Sequence, residues 1–197
     1  DMQNSLCADD GGCGKPGLPI QNLQTAIEPC VELVKAARAA NIPVIYTRYM
    51  YRPDYADGGV LIKHLLPDLK DAKALQAGTW DVEVIPELEP QDEDFIVDKN
   101  RPSSFYATNL ETILSGLDAD SLVVCGVTTN CCVESTVRDA SQRDYKTFVV
   151  QDAVAELDDE RHQVALRSMD MLFADLVTVN DVAIAWGVHN SIETAAE

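Results

Sequence analysis

Leu122-Val123-Val124-Cys125-Gly126-Val127-Thr128-Thr129-Asn130-Cys131-Cys132-Val133-Glu134-Ser135-Thr136-Val137-Arg138-Asp139-Ala140 changes its periodicity part-way along, and that change decides the fold class. The first residues are an apolar, β-branched run, the pattern of a strand buried on both faces. Gly126 breaks it, and Thr128, Thr129 and Asn130 are residues that favour caps and turns over helix interiors. From Cys131 the spacing becomes helical, with Val133 and Val137 four apart on one face. Cys131 and Cys132 therefore stand where a strand hands over to a helix N-terminus. Unpaired N–H groups and the positive dipole end there favour a thiolate and suit an oxyanion. The residues alone leave two readings open, a nucleophile or a pair of small core thiols.

The chain has 197 residues, a length that suits one domain with a sizeable core. Apolar content of 46% and charged content of 24% are those of an ordinary globular protein. A formal charge of −18 argues against nucleic acid or an anionic membrane surface as partner, since both would be repelled. No apolar run approaches the ~20 residues of a membrane-spanning helix. Six cysteines (Cys7, Cys13, Cys30, Cys125, Cys131 and Cys132) are irregularly spaced, and the expectation is reduced thiols and a cytoplasmic location.

Outward from the central stretch, strands and helices alternate. Residues 22–40 carry apolar positions at Leu23, Ile27, Val31, Val34 and Ala37, an amphipathic helix that Pro29 interrupts or restarts and Asn41 stops. A strand is expected over 42–47. Residues 49–80 lack a strand pattern but hold Tyr49, Tyr51, Tyr55 and Trp80, and long irregular segments of this kind usually act as lids or binding loops. Further strands are expected over 95–97, 121–127, 146–150 and 176–179, with helices over 106–116, 131–143 and 159–171. Such alternation means a parallel sheet covered by helices on both faces. The chain opens on Asp1-Met2-Gln3-Asn4, where a further strand is expected ahead of Asp1.

In parallel sheets ligands bind beyond the carboxyl ends of the strands. Asp1, Lys99 and Cys132 would each follow a strand and so share one crevice. Acid, amine and thiol together suit nucleophilic catalysis: the carboxylate takes the thiol proton, the ammonium steadies the ion pair, and the thiolate attacks.

Other motifs carry less. Gly11-Gly12-Cys13-Gly14-Lys15-Pro16 has the look of a phosphate loop, but Asp9 and Pro16 stand where Gly and Ser or Thr are required. His64, His162 and His189 lack metal-ligand spacing, Asp54, Asp57 and His64 read as a solvated loop, and His162 reads as structural. Ser135 is outside any Gly-x-Ser-x-Gly elbow.

With Asp1-Met2-Gln3-Asn4, Asp98-Lys99 followed by Ser104-Phe105, and Cys125 to Thr136 in place, the chain resembles the isochorismatase-like cysteine hydrolases over essentially its whole length. The resemblance implies a three-layer αβα domain spanning 1–197 with a six-stranded parallel sheet in the order 3-2-1-4-5-6. It selects Cys132, directly before Val133, as nucleophile, Asp1 as general base and Lys99 as the lysine, and it puts a cis peptide at Val127–Thr128. The backbone N–H groups of Thr128 and Cys132 would form the oxyanion hole. Cys131, one residue earlier on the emerging helix, is expected to point away. Around the substrate the resemblance places Asn4, Leu6, Tyr51, Arg52, Trp80, Tyr106 and Thr128.

Arg52-Pro53-Asp54-Tyr55-Ala56-Asp57, Gly78-Thr79-Trp80-Asp81 and Pro86-Glu87-Leu88 are similar to the biuret hydrolase and ureidoacrylate amidohydrolase branch, which acts on carbamoyl groups or small amides. Leu6 replaces an aromatic pocket residue, and Leu172 falls near a substrate-binding glutamine of the biuret branch, which counts against biuret itself. No metal or other cofactor is implied, because the Asp-x-His pair of the metal-binding nicotinamidases is absent. Cysteine favours C–N cleavage over the vinyl-ether chemistry of the isochorismatases. The resemblance further implies a homo-oligomer, a tetramer above all, with the 49–80 segment at an interface. The competing readings are another small-molecule hydrolase of the same fold, isochorismatase-type included, and a non-catalytic redox-sensing oligomer built on Cys131 and Cys132.

Overall fold

Val149 and Val150 show how the layers arise. The two are adjacent on one strand and both fully buried, so their side chains leave the sheet on opposite faces. Val149 packs among Val133, Val137, Leu166 and Met169. Val150 belongs to the core that holds Cys30, Leu33, Val179 and Val182.

The computed structural model describes residues 1–188. Its strands are β1 (Ile45–Tyr49), β2 (Phe95–Lys99), β3 (Ser121–Val127), β4 (Lys146–Ala155) and β5 (Asp175–Val177). The helices are α1 (Asn4–Cys7), α2 (Ile27–Ala39), α3 (Asp68–Asp71), α4 (Leu110–Gly116), α5 (Glu134–Ser141), α6 (Asp159–Leu172) and α7 (Val179–Ala185). α2 and α7 cover one face, while α5 and α6 cover the other. α4 joins that second layer through Leu110 and Leu114, packed with Val97 and Ala140. The α/β layering and parallel strands are those expected.

The single six-stranded sheet is not what is seen. Five parallel strands form two sheets, β1-β2 and β3-β4-β5. Between β1 and β3 runs a groove of about 420 Å³, lined by Ile45, Tyr46 and Thr47 on one side and by Leu122, Val123 and Val124 on the other. Asp1 and Cys132 also line it. Among the described residues β1 pairs only with β2 and β3 only with β4, so each has one ladder edge on this groove. The expected sub-orders on either side of it are present; the strand expected between them is not among the described residues.

Local differences have local causes. The helix predicted over 22–40 is a 3₁₀ turn, Ile20–Ala26, followed by α2, with Pro29 in the first α-turn where its missing N–H is not needed. β1 starts at Ile45 rather than Ile42, because Pro43 has no N–H to donate. α4 begins at Leu110, after a run of turns that holds Ser103, Ser104 and Phe105 buried. α7 lies where the last strand was expected to continue: Thr178 and Asp181 cap each other's backbone N–H groups and start a helix at Val179. Residues 49–80 form short helical turns packed inside, with Tyr49, Tyr51, Tyr55, Ile62 and Leu75 buried. The glycine-rich segment is structural: the Gly12 N–H donates to Asp81 (2.7 Å), whose other oxygen accepts from Leu75 N–H (2.6 Å).

Gln3 ties the opening segment to β1. Its amide donates to the carbonyls of Tyr49 (3.0 Å) and Val82 (2.9 Å), and its oxygen accepts from Tyr49 N–H (2.7 Å), all fully buried. Gln3→Leu keeps the volume but strands these three backbone groups. It should destabilise the protein by about 2–4 kcal/mol in urea unfolding, with the slope of the transition unchanged.

Candidate active site

Lys99 is the last residue of β2, Thr47 is mid-way along β1, and Cys132 lies in a π-turn (Thr129–Val133) that links β3 to α5. Gly126 prepares that turn. It adopts φ +105°, a conformation open to glycine, and the following Val127–Thr128 peptide is cis. The three residues expected to converge do so. Asp1 Oδ2 lies 2.6 Å from Lys99 Nζ, both side chains being wholly buried. Lys99 Nζ in turn lies 3.2 Å from Cys132 Sγ.

Each member is held by its own partners. Thr47 Oγ1 donates to Asp1 Oδ1 at 2.6 Å. Lys99 Nζ also donates to the carbonyls of Pro102 (2.9 Å) and Arg101 (3.3 Å) and sits 4.4 Å over the Tyr49 ring. The Asp1 Oδ2 contact with Lys99 is an ion pair without hydrogen-bond alignment, which leaves that buried oxygen free to accept a proton.

The neighbouring Cys131 thiol and burial push Cys132 well above the usual thiol range, and the Lys99 ammonium works against them. Cys132 lines the groove with Asp1, and Cys131 is not among the residues that do.

The substrate residues expected by resemblance divide. Thr128 opens the loop beside Cys132. Asn4 is buried and spends its amide on the Trp80 carbonyl (2.9 Å). Tyr51 is fully buried with its hydroxyl on that of Tyr49 (3.0 Å), one step from Lys99. Leu6 packs against the main core. Trp80 and Tyr106 are more than half exposed. Arg52 is not brought in; it pairs with Asp54 on the exposed surface (3.1 Å). Thr47, Tyr49 and Gln3 were missed by sequence reasoning. Alternation along 45–49 would have aimed Thr47 and Tyr49 to the same side, but nothing in the pattern says which side meets Asp1. His189 lies outside the described residues. Among those described, no three His, Cys, Asp or Glu side chains are grouped to hold a metal, and no helix is long and apolar enough to cross a membrane.

Residues 1–181 match the family model described as the Isochorismatase domain. The chain belongs to the isochorismatase family and is, with it, a hydrolase. It is 32% identical over 194 residues to the ureidoacrylate amidohydrolase RutB of Agrobacterium fabrum, an alignment covering 92% of this chain and 85% of that protein. Its fold matches a cysteine hydrolase from Pseudomonas syringae pv. phaseolicola with a TM-score of 0.84 and 33% identity, over 99% of this chain and 90% of the other. N-carbamoylsarcosine amidase from Thermoplasma acidophilum matches with a TM-score of 0.73 and 26% identity, over 91% and 93% of the two chains.

Removing the Lys99 charge should push the Cys132 thiol higher still. In Lys99→Ala the pH profile of iodoacetamide alkylation at Cys132, read by peptide mass, should move up by at least about one unit, a tenfold slower reaction at a fixed pH below it. An unmoved profile would mean that Lys99 does not act on this thiol.

Proposed function

We propose that this chain is a cysteine amidohydrolase that cleaves the C–N bond of a small carbamoyl (ureido) or amide substrate through a covalent Cys132 intermediate and releases ammonia. The observation that carries the reading is the contact chain Asp1–Lys99–Cys132, at 2.6 and 3.2 Å in a buried site. The names of the relatives support the substrate class.

Because the thiol is protonated at rest, attack and proton transfer belong together. Asp1 Oδ2 takes the S–H proton as sulfur bonds to the carbonyl carbon, and the C=O electron pair moves onto oxygen. Lys99 and the N–H groups of Thr128 and Cys132 stabilise that oxyanion. Collapse restores the carbonyl, breaks the C–N bond and returns the Asp1 proton to the departing nitrogen. Water then adds to the acyl (or carbamoyl) enzyme, giving its proton to Asp1, and the C–S bond breaks as sulfur regains a proton. Glutamate dehydrogenase-coupled ammonia release, screened across small ureides and primary amides, tests the reading; no ammonia from any of them, with the protein folded, would sink it.

Cys132→Ser should lose roughly 10³-fold or more in kcat with substrate binding kept, since its hydroxyl is far harder to deprotonate. Asp1→Asn should be comparably poor, because an amide cannot accept the thiol proton. Cys131→Ser should stay within a fewfold of wild type, because the proposed nucleophile, base and lysine are all left in place. A dead Cys131→Ser beside an active Cys132→Ser would move the nucleophile by one residue.

The assembly is proposed as a homo-oligomer, a tetramer, using the 49–80 segment. Val60 and Leu65 are about two-thirds exposed there (64% and 66%), apolar surface that such an interface would cover. Light scattering should give a multiple of the 21.5 kDa chain mass, and a concentration-independent monomer would refute it.

A further inference from the structure

Three residues, Thr129, Asn130 and Cys131, separate the two backbone N–H groups assigned to the oxyanion. Inside the turn, Cys131 N–H and Val133 N–H both reach back to the Thr128 carbonyl, at 3.3 and 3.1 Å, and Glu134 N–H reaches the Thr129 and Cys131 carbonyls. Further ties come from outside the loop. Asn130 N–H donates to Glu156 Oε2 at 2.8 Å, and Glu156 Oε1 accepts from Leu157 N–H at 2.9 Å. Thr129, fully buried, shares a 2.9 Å hydrogen bond between its Oγ1 and His162 Nδ1.

Glu156 is an expensive residue to place there. It is 6% exposed and, among the described residues, has no cationic partner. A buried carboxylate without a cation is costly unless N–H donors satisfy it. Shape alone does not call for an anion, and neither does the nearby chemistry, since a negative charge beside Cys131 disfavours thiolate and oxyanion alike. What a carboxylate supplies that an amide cannot is two acceptor oxygens, one for each of two N–H groups held at a fixed separation. One N–H belongs to the bend just after β4 and the other to the loop.

We propose that Glu156, backed by the Thr129–His162 hydrogen bond, is a positioning residue that locks the backbone between Thr128 and Cys132 so that their N–H groups converge on one oxygen. This rests on the reading that these two groups bind the oxyanion. Glu156 acts through the loop and touches neither substrate nor sulfur.

Glu156→Gln tests it, because position and charge predict opposite signs. The amide turns an NH₂ toward one of the two N–H groups and releases the loop, while removing a charge that opposes thiolate formation. Two reactions of Cys132 are compared. Iodoacetamide displacement needs no oxyanion hole. Reversible capture by acetaldehyde, forming a thiohemiacetal, places an oxygen where the hole would hold it, and is read as protection against iodoacetamide. The expected result is alkylation as fast as wild type or faster, with at least a tenfold loss of aldehyde protection and a matching loss of kcat at nearly unchanged KM. Equal aldehyde protection in variant and wild type overturns the proposal, as does a parallel loss of alkylation and protection. Thr129→Val removes the second tie with little change of volume and should give the same pattern at smaller size; it replaces Glu156→Gln if that variant does not fold. A wild type that captures the aldehyde but hydrolyses no ureide or amide would refute the functional reading while the aldehyde comparison still judges Glu156.

Discussion

The contact between Asp1 and Lys99 is the constraint that the rest of the site depends on. Both side chains are wholly out of water, and a buried ion pair gains little net stability, because desolvation offsets the attraction. It persists where further hydrogen bonds satisfy each ion. Here Thr47 donates to the carboxylate, while the Arg101 and Pro102 carbonyls and the Tyr49 ring face the ammonium. Those partners come from β1 and from the turn after β2, so the register that sets Thr47 opposite Val97 and Tyr49 opposite Lys99 also builds the site. Gln3, bonded to both the N–H and the carbonyl of Tyr49, carries the same register to the segment that holds Asp1.

Much of this was legible in the sequence. Strand 121–127 was readable to the residue, because Gly and three cap-forming residues end an apolar run abruptly. Convergence of Asp1, Lys99 and Cys132 followed from one rule, that parallel strands present their carboxyl ends to a common crevice. The parts that were not legible depend on contacts distant in sequence. Nothing local marks Thr47 as the partner of Asp1 or His162 as that of Thr129, and Arg52 reads as a pocket residue until its pairing with Asp54 is seen. The upward push on the Cys132 thiol also escaped the sequence, since neither the Cys131 contact nor the depth of burial is visible in the residues.

In the proposed reaction a starting thiol gives the site a consistent electrostatic logic. With Cys132 as thiol, the Asp1–Lys99–Cys132 set carries one anion and one cation, and a neutral carbamoyl or amide group could enter without leaving either unpaired. In that proposed step, passing the thiol proton to Asp1 would neutralise the carboxyl just as the substrate oxygen becomes negative. Lys99 would then face the oxyanion in place of the carboxylate, and the three-residue set would again carry one charge of each sign. A preformed thiolate would instead put two anions beside one ammonium, a net charge that a low-dielectric interior disfavours. A raised thiol is therefore compatible with the proposed nucleophilic chemistry rather than an obstacle to it: on that reading Lys99 would never be without a counter-charge, and the proton on Asp1 would move only as the charge that replaces it appears.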